Sequence, residues 1–406
     1  MLAQLSQDDD VRLVAVRGGI GAVPGVRSAG VHAGIKLRKR DLAVIAFDQP
    51  QVCASVITTN EIKAAPVLVS AEHIAGDGVF RAIVCNSGCA NACTGERGDR
   101  DARATARQAA ALLKVSATSI IVASTGVIGV PLPMDRVQRG LERAIEQLES
   151  GVKSSNDAAE AIMTTDRVPK LAAYEFYIGE KKYVVGGIAK GSGMIAPNMA
   201  TMLAFVATNL PMSADALQSE LREAADATFN MISVDGCMST NDALYAFAPA
   251  GEASPPAPFV RALHQVCSDL ALAMVADGEG ATKTLTVHVR GAKDVAQART
   301  IGRAVINSNL VRTALYGEDP NWGRIIAAAG SVNAGLDPAT WWLQLNGKTW
   351  VQPGAIEALS EAEAHSELEL TDIVVDLHLG IGEARATAWG CDLSKDYVRI
   401  NASYRT

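Results

Sequence analysis

The stretch Lys190-Gly-Ser-Gly-Met-Ile-Ala-Pro-Asn-Met-Ala-Thr201-Met202 constrains this chain more than any other. Gly191 and Gly193 reach backbone angles closed to other residues and Pro197 fixes one φ, so the segment bends tightly and hands one threonine to the head of the apolar run Met202–Thr208. Such a turn can hold a peptide bond under strain beside a hydroxyl. Attack of the Thr201 hydroxyl on the carbonyl of Ala200 would turn the amide into an ester, and water would then free a chain that begins with Thr201. The new α-amine, with an ordinary pKa of about 7.7–8.0, is a general base carried by the nucleophile itself. The plain alternative is a glycine-rich turn ahead of a strand.

Around this loop, helices and strands are mixed throughout. Alternation and β-branched runs predict strands at Leu42–Phe47, Val52–Thr58, Ala82–Cys85 and Ser119–Ala123, and helical periodicity covers Arg100–Leu113 and Met134–Leu148. A hairpin is expected from Leu171–Ile178 and Lys182–Ile188, its second strand feeding the Lys190 loop and placing Thr201 deep within a sheet. Helices follow at Ala214–Thr228, Pro258–Val275 and from Val295 through about Leu315, with a strand at Thr284–Val289 and β-rich sequence at Trp341–Val351 and Ile373–Ala388. Adjacent hairpins argue for antiparallel sheets and an α+β class.

A chain of 406 residues with 49% hydrophobic content can bury a large core. Its net charge of −7 argues against a nucleic-acid partner, and no apolar run of about 18 residues argues for a membrane span. The acidic amino terminus is unlike a signal peptide, so the cytoplasm is expected. Seven cysteines, an odd number, fit reduced thiols. Cys85, Cys89 and Cys93 recur every fourth residue, but among Asn, Gly and Ala they read as loop rather than as a helical metal face, and no metal is expected. Cys237, Cys267 and Cys391 read as buried thiols. No histidine lies in a metal-hydrolase or serine-triad pattern.

The nucleophile loop, together with Asn86-Ser-Gly-Cys-Ala-Asn-Ala-Cys-Thr-Gly95, Ser124-Thr-Gly-Val-Ile-Gly129, Thr164-Thr-Asp166, Ser233-Val-Asp-Gly236, Asp277-Gly-Glu-Gly-Ala-Thr-Lys283, Gly317-Glu-Asp-Pro-Asn-Trp-Gly-Arg324 and Asn401-Ala-Ser-Tyr-Arg-Thr406, resembles the ornithine acetyltransferase family, the glutamate N-acetyltransferases of arginine biosynthesis. The blocks stand in family order from about residue 25 to the end. The resemblance implies sheets sandwiched between helices in a main domain built from both cleaved halves (1–280), a smaller carboxy-terminal α/β domain (281–390) and a tail returning to the active site (391–406). It implies acetyl transfer from N2-acetylornithine to glutamate through an acetyl-Thr201 ester by a ping-pong route, with no cofactor. Acetyl-CoA is a further donor in some members. It also implies cleavage between Ala200 and Thr201 into two chains that stay associated as an α2β2 heterotetramer. A related self-cleaving aminopeptidase or amidohydrolase is the rival reading.

Residue by residue, the resemblance implies an oxyanion hole at Thr125 and Gly126, where the plain reading is a turn after a strand. It implies substrate contacts at Thr164, Lys190, Thr201, Glu279, Asn401 and Thr406. Glu279 suits an ornithine ammonium; its plain reading is a solvated loop acid. Helix capping is the alternative for Thr164, a solvated surface group for Lys190, and a frayed terminus for Asn401 and Thr406. Arg167 stands where the family more usually has threonine. Asp319–Arg324 is expected to begin a helix near the site, in a structural role.

Overall fold

The computed structural model describes residues 12–76, 78–196, 202–252, 254–354 and 356–403. Among these, a nine-stranded sheet runs in the order Val14–Ala15, Lys170–Ile178, Lys181–Lys190, Leu203–Thr208, Ala243–Pro249, Leu42–Ile57, Phe80–Cys89 and Ile120–Val127, with Val26–Val31 also paired to Leu42–Ile57. The two strands expected at 42–47 and 52–58 are therefore one strand of 16 residues. Its first part pairs with Val26–Val31 and Phe80–Cys89, its last part with Ala243–Pro249, and the register shifts between Ala46 and Gln51. This strand carries the sheet from one layer of a sandwich into the other.

The apolar runs have no polar face because both of their faces are covered. Leu203, Phe205 and Ala207 face inward onto Ile45, Ile83 and Ile121 of the opposing layer. Ala204 and Val206 face outward onto Leu217, Leu221, Val266 and Leu270 of the helices Ala214–Ala227 and Ala257–Ala276. On the far side Val44, Val84 and Val122 meet Ala102, Ala106, Val137 and Leu141 of the helices Gly95–Leu113 and Met134–Glu146. The four layers are helix, sheet, sheet, helix. Each fully buried aromatic of the middle layer, such as Phe205 or Phe247, contributes about 1.5–3 kcal/mol. Phe247 lies 4.9 Å from Phe47 and 6.4 Å from Phe80, tying the layers together. A slip of one residue would turn these rings outward, so the pattern fixes the register.

Ala257–Ala276 is long and apolar enough, by length and composition, to cross a membrane; its Phe259, Leu263, Val266, Leu270 and Met274 stripe instead packs on the first sheet. The second sheet has seven strands, from Ile232–Ser233 and the segment 284–391, and its own apolar core. Both sheets are mixed rather than antiparallel: Leu203–Thr208 runs parallel to Ala243–Pro249, and Thr284–Ala292 parallel to Asp372–His378. The helix expected from Val295 to Leu315 is two, Val295–Asn307 and Asn309–Gly317, because Ser308 stops the first and caps the second by accepting from Val311 N.

Candidate active site

Strands Lys181–Lys190 and Leu203–Thr208 pair antiparallel with Lys190 opposite Leu203, so the glycine-rich loop between them lies at one end of the sandwich. Neighbouring segments hold its main chain. Asp166 Oδ1 accepts from Gly191 N at 2.7 Å, Thr165 and Ser192 hydroxyls lie 2.7 Å apart, and Ser192 O accepts from Glu279 N at 2.7 Å. Asp235 accepts from Met194 N at 2.6 Å and Ile195 N at 2.8 Å. That grip holds Met194 at φ +55°, a left-handed conformation that costs a side-chain-bearing residue energy. Gly193 has a different constraint: a Cβ there would lie 2.4–2.6 Å from the Glu279 carboxylate.

Lys190 is almost wholly buried and donates from Nζ to Thr125 Oγ1 at 3.1 Å. An ammonium only donates, so this contact uses a lone pair of the hydroxyl and leaves the Thr125 proton to be donated elsewhere. Burial lowers the pKa of Lys190, while Asp166 and Asp242 pull it upward. Burial alone would raise Asp166; the ammoniums of Lys190 and Lys170 outweigh it and hold the carboxyl at about 2. Lys170 Nζ lies 2.7 Å from both Asp166 and Asp277, and Arg167 Nε lies 2.9 Å from Asp277. Arg167 thus closes a buried charge ladder from outside. Gly126, beside Thr125, sits at φ +128°, and a Cβ there would lie 2.5 Å from the Gly88 carbonyl carbon. Only glycine fits that position.

Thr125, Gly126, Thr164, Lys190, Glu279 and Asn401 come from five separate segments and all line one cavity of about 130 Å³. Glu279 is buried, and Asn401 Nδ2 donates to its Oε2 at 2.9 Å from the terminal helix Lys395–Ser403. Thr164 N donates to Asp166 Oδ2 at 2.9 Å, and Thr164 caps no helix. Ala200, Thr201 and Thr406 lie outside the described residues. The next residue, Met202, is anchored: its N–H donates to Asp242 Oδ1 at 2.9 Å, and its carbonyl accepts from Ala243 N at 3.1 Å.

Sequence reasoning missed several residues of this site. Asp242 is completely buried, and burial pushes its pKa well above the usual carboxylate range against the pull of Met202 N–H and Lys190. Asn241 donates to Ala90 O at 2.7 Å and Ser124 O at 2.8 Å, joining the strand that bears Thr125 to the turn before Ala243–Pro249. The only signal was a polar pair ahead of an apolar strand. Tyr397 lines the cavity and donates to Asp235 at 3.3 Å. Cys237, expected to be buried, is exposed and also lines the cavity, because its turn hangs on Asp235 outside the sheet. Cys85 and Cys89 are both on the strand Phe80–Cys89, but the irregularity at Gly88 and Cys89 puts Cys89 with Val84 and Val122 while Cys85 packs with Ile83 and Ile121, and Cys93 is exposed beyond the strand, so the three share no face.

Trp322 begins a helix, Trp322–Gly330, but the segment Asp319–Arg324 does not line the cavity; its indole donates to Glu357 and its ring packs on Trp341. Among the described residues, Glu318, His365 and Glu369 are grouped closely enough to suit a metal, yet Glu318 is paired with Lys283 at 2.9 Å.

Comparison with known proteins places these features in a family. The model of the ArgJ family matches residues 27–406. An arginine biosynthesis bifunctional protein ArgJ from Symbiobacterium thermophilum is 47% identical over 400 residues, covering 96% of this chain and 99% of the relative. A protein of the same name from Bacillus cereus is 43% identical over 397 residues, covering 96% and 97%. Among solved structures, an ornithine acetyltransferase complexed with ornithine from Mycobacterium tuberculosis is 39% identical with a TM-score of 0.43, covering 48% of this chain and 100% of that one.

Proposed function

The chain belongs to the ArgJ family, and we propose that it is a glutamate N-acetyltransferase of arginine biosynthesis that moves acetyl from N2-acetylornithine to glutamate through an ester on Thr201. One observation carries the proposal: a buried lysine occupies the lone pair of the Thr125 hydroxyl on one wall of a cavity whose other wall presents the Glu279 carboxylate. Acyl transfer builds negative charge on a carbonyl oxygen, and a preorganised donor worth about 3–4 kcal/mol is the largest single help a site can give it. Thr125 with its proton free suits that role, and the forced conformation of Gly126 suits a main-chain donor beside it. That Thr164, Lys190, Glu279 and Asn401 line the same cavity supports a role for them in binding the amino-acid parts of the substrates.

In this reading the Thr201 hydroxyl first cleaves its own peptide bond, releasing a chain that starts at Thr201, and the new α-amine serves as base. Attack on acetylornithine then forms the acetyl ester and frees ornithine; glutamate's amine takes the acetyl. No cofactor takes part. The curated relatives are named as bifunctional proteins, which adds acetyl-CoA as a second donor. The sandwich pairs strands from both sides of position 200, which supports halves that stay together; in this reading they assemble as an α2β2 heterotetramer in the cytoplasm. The test is to sequence the amino termini of the purified protein and incubate it with acetylornithine, with and without glutamate. Two chains, one beginning at Thr201, acetylglutamate as product and an acetyl group trapped on Thr201 without acceptor are expected. A single intact chain rules out processing; acetate in place of acetylglutamate indicates a hydrolase.

A further inference from the structure

Away from the catalytic cavity, the helix Val295–Asn307 carries Arg299 and Arg303 one turn apart, a like-charge pair at a spacing that destabilises a helix unless an anion answers it. Both are half-buried. Burial lowers the pKa of Arg303, and the charge of Arg299 lowers it further. Asp226 answers only in part: its Oδ2 lies 3.9 Å from Arg299 Nη1, while its Oδ1 accepts from Asn230. Arg299 lines a second cavity, of about 340 Å³, which shares no lining residue with the first. This cavity lies where the helices Ala214–Ala227 and Ala257–Ala276 of the first sheet meet the strand Ala384–Cys391 of the second.

His264 and Ser268 on the longer helix and Arg385 on the strand also line it, and among the described residues the side chains of these three make no hydrogen bond or ion pair. Burial lowers the pKa of His264, which favours the neutral ring with one nitrogen donating. Much of the remaining wall is apolar, built from Met231, Val295, Ala386 and Trp389. Donors without acceptors around a space of ligand size match one chemistry. A carboxylate or phosphate head fits the planar forks of Arg299 and Arg385, and an apolar body covers Met231 and Trp389. A cationic amino acid would add charge where positive charge is already in excess.

Two short segments run from this cavity to the catalytic one. Met231 lines the second cavity; Asp235, four residues on and so within about 14 Å along the chain, lines the first and holds Met194 N and Ile195 N. Trp389 lines the second cavity and pairs with Ile232. Its chain continues to Ser394, which donates to Gly280 O at 2.6 Å beside Glu279, and then to Tyr397 and Asn401 in the catalytic wall. We infer that this cavity is a second ligand site, for a small organic anion with an apolar body, and that its occupant biases the catalytic cavity through the segments Met231–Asp235 and Trp389–Asn401. An anion held between Arg299 and Arg385 ties the strand to the helix Val295–Asn307, a contact that the empty site lacks, and such a difference is what coupling between sites requires. The inference does not depend on the acyl-transfer reading.

The test uses the purified full-length protein in the processed form it adopts. Phenylacetate and phenyl phosphate are the probes, L-arginine and inorganic phosphate the comparisons, and binding is followed by calorimetry with and without excess glutamate. At least one probe is expected to bind at a single site, more tightly than either comparison and undisturbed by glutamate; the tighter of the two identifies the head group. Arg299→Gln and Arg385→Gln should each weaken it about tenfold or more, as loss of a charged hydrogen bond does. Arg385 is exposed and unpartnered, so its variant keeps the wild-type fold. Cys237 is exposed on the catalytic wall two residues after Asp235, and its alkylation by iodoacetamide, followed by peptide mass, reports on that wall without any turnover. Saturating probe should change that rate about fivefold or more in the wild type, leave the exposed Cys93 unaffected and do nothing in Arg385→Gln. No binding of either probe, binding undiminished in both variants, displacement by glutamate, a comparison compound that binds as tightly, or an unchanged Cys237 rate would each overturn the inference.

Discussion

Replacing Thr125 by valine keeps the shape of a side chain that is 3% exposed and removes only its hydroxyl. Two consequences follow from the geometry. The cavity loses one donor aimed at the charge of the transition state, which lowers kcat by about 10²–10³, or roughly 2.7–4 kcal/mol. Lys190 loses the acceptor it holds at 3.1 Å, and a buried charged donor left short of a partner destabilises the fold by about 1–3 kcal/mol. KM should change little, since the lost interaction strengthens only as the oxyanion develops. Thr125→Ser restores the hydroxyl and should recover kcat to within about tenfold of wild type. The assay is steady-state acetyl transfer from acetylornithine to glutamate by all three proteins, with urea unfolding alongside. A valine variant within threefold of wild-type kcat, a serine variant as impaired as valine, or a loss confined to KM would each refute the donor role.

Glu279→Gln keeps the shape but removes the charge that Asn401 supports, so KM for acetylornithine should rise about 10–100-fold, a charged hydrogen bond's worth, measured by initial rates; an unchanged KM would exclude Glu279 from binding. Gly193→Ala drives a methyl into the Glu279 carboxylate, and should impair both substrate binding and self-cleavage on a denaturing gel, whereas a normally processed, active variant would show that the loop yields. Asp166→Ala takes from Lys170 one of its two carboxylate partners, leaving Asp277, and from Lys190 a nearby carboxylate, and should cost about 1–3 kcal/mol in urea unfolding. Because the folded pKa of Asp166 lies near 2, below the ordinary value of 3.8, its contribution is complete above about pH 4 and is lost as pH falls toward 2; an acid transition identical in the variant would contradict this.

The elements that sequence made legible are those with strong periodicity and room to show it, such as Gly95–Leu113 and the hairpin of Lys170–Ile178 with Lys181–Lys190. The strand Leu42–Ile57 read as two because Asp48–Pro50 looks like a turn, yet it is where one strand passes between layers. Parallel pairing was invisible because it joins distant segments whose runs look the same either way. For the cavity, Gly193 read as a residue of backbone freedom and Gly126 as a turn or an oxyanion donor, whereas what the structure adds is a close approach at each, of the Glu279 carboxylate and of the Gly88 main chain. Asp242 and Asn241 gave almost no signal: their importance comes from burial beside Lys190 and from bonds to Met202, Ala90 and Ser124, none of which is near in sequence. Glu279 and Lys190 illustrate the same limit, since a charged residue in a polar turn reads as solvated until the fold covers it.

Lys190 lines the cavity and also donates to Thr125, and the contact separates two ways in which a cation can assist acyl transfer. A lysine acting on the oxyanion directly would contribute independently of the threonine. A lysine that donates to the threonine hydroxyl instead polarises it, making its proton a better donor in a site where low dielectric leaves the charge little screened. In that arrangement the two side chains act as one unit. Lys190→Met should then lower kcat, with some rise in KM from any direct substrate contact, and adding Thr125→Val should cost little more in kcat than the worse single change. The double-mutant cycle should show a coupling of about 1–3 kcal/mol, the range found for residues in one hydrogen-bond network. Multiplying effects, with a coupling near zero, would instead mean that Lys190 and Thr125 meet the transition state separately and that their 3.1 Å contact is incidental to turnover.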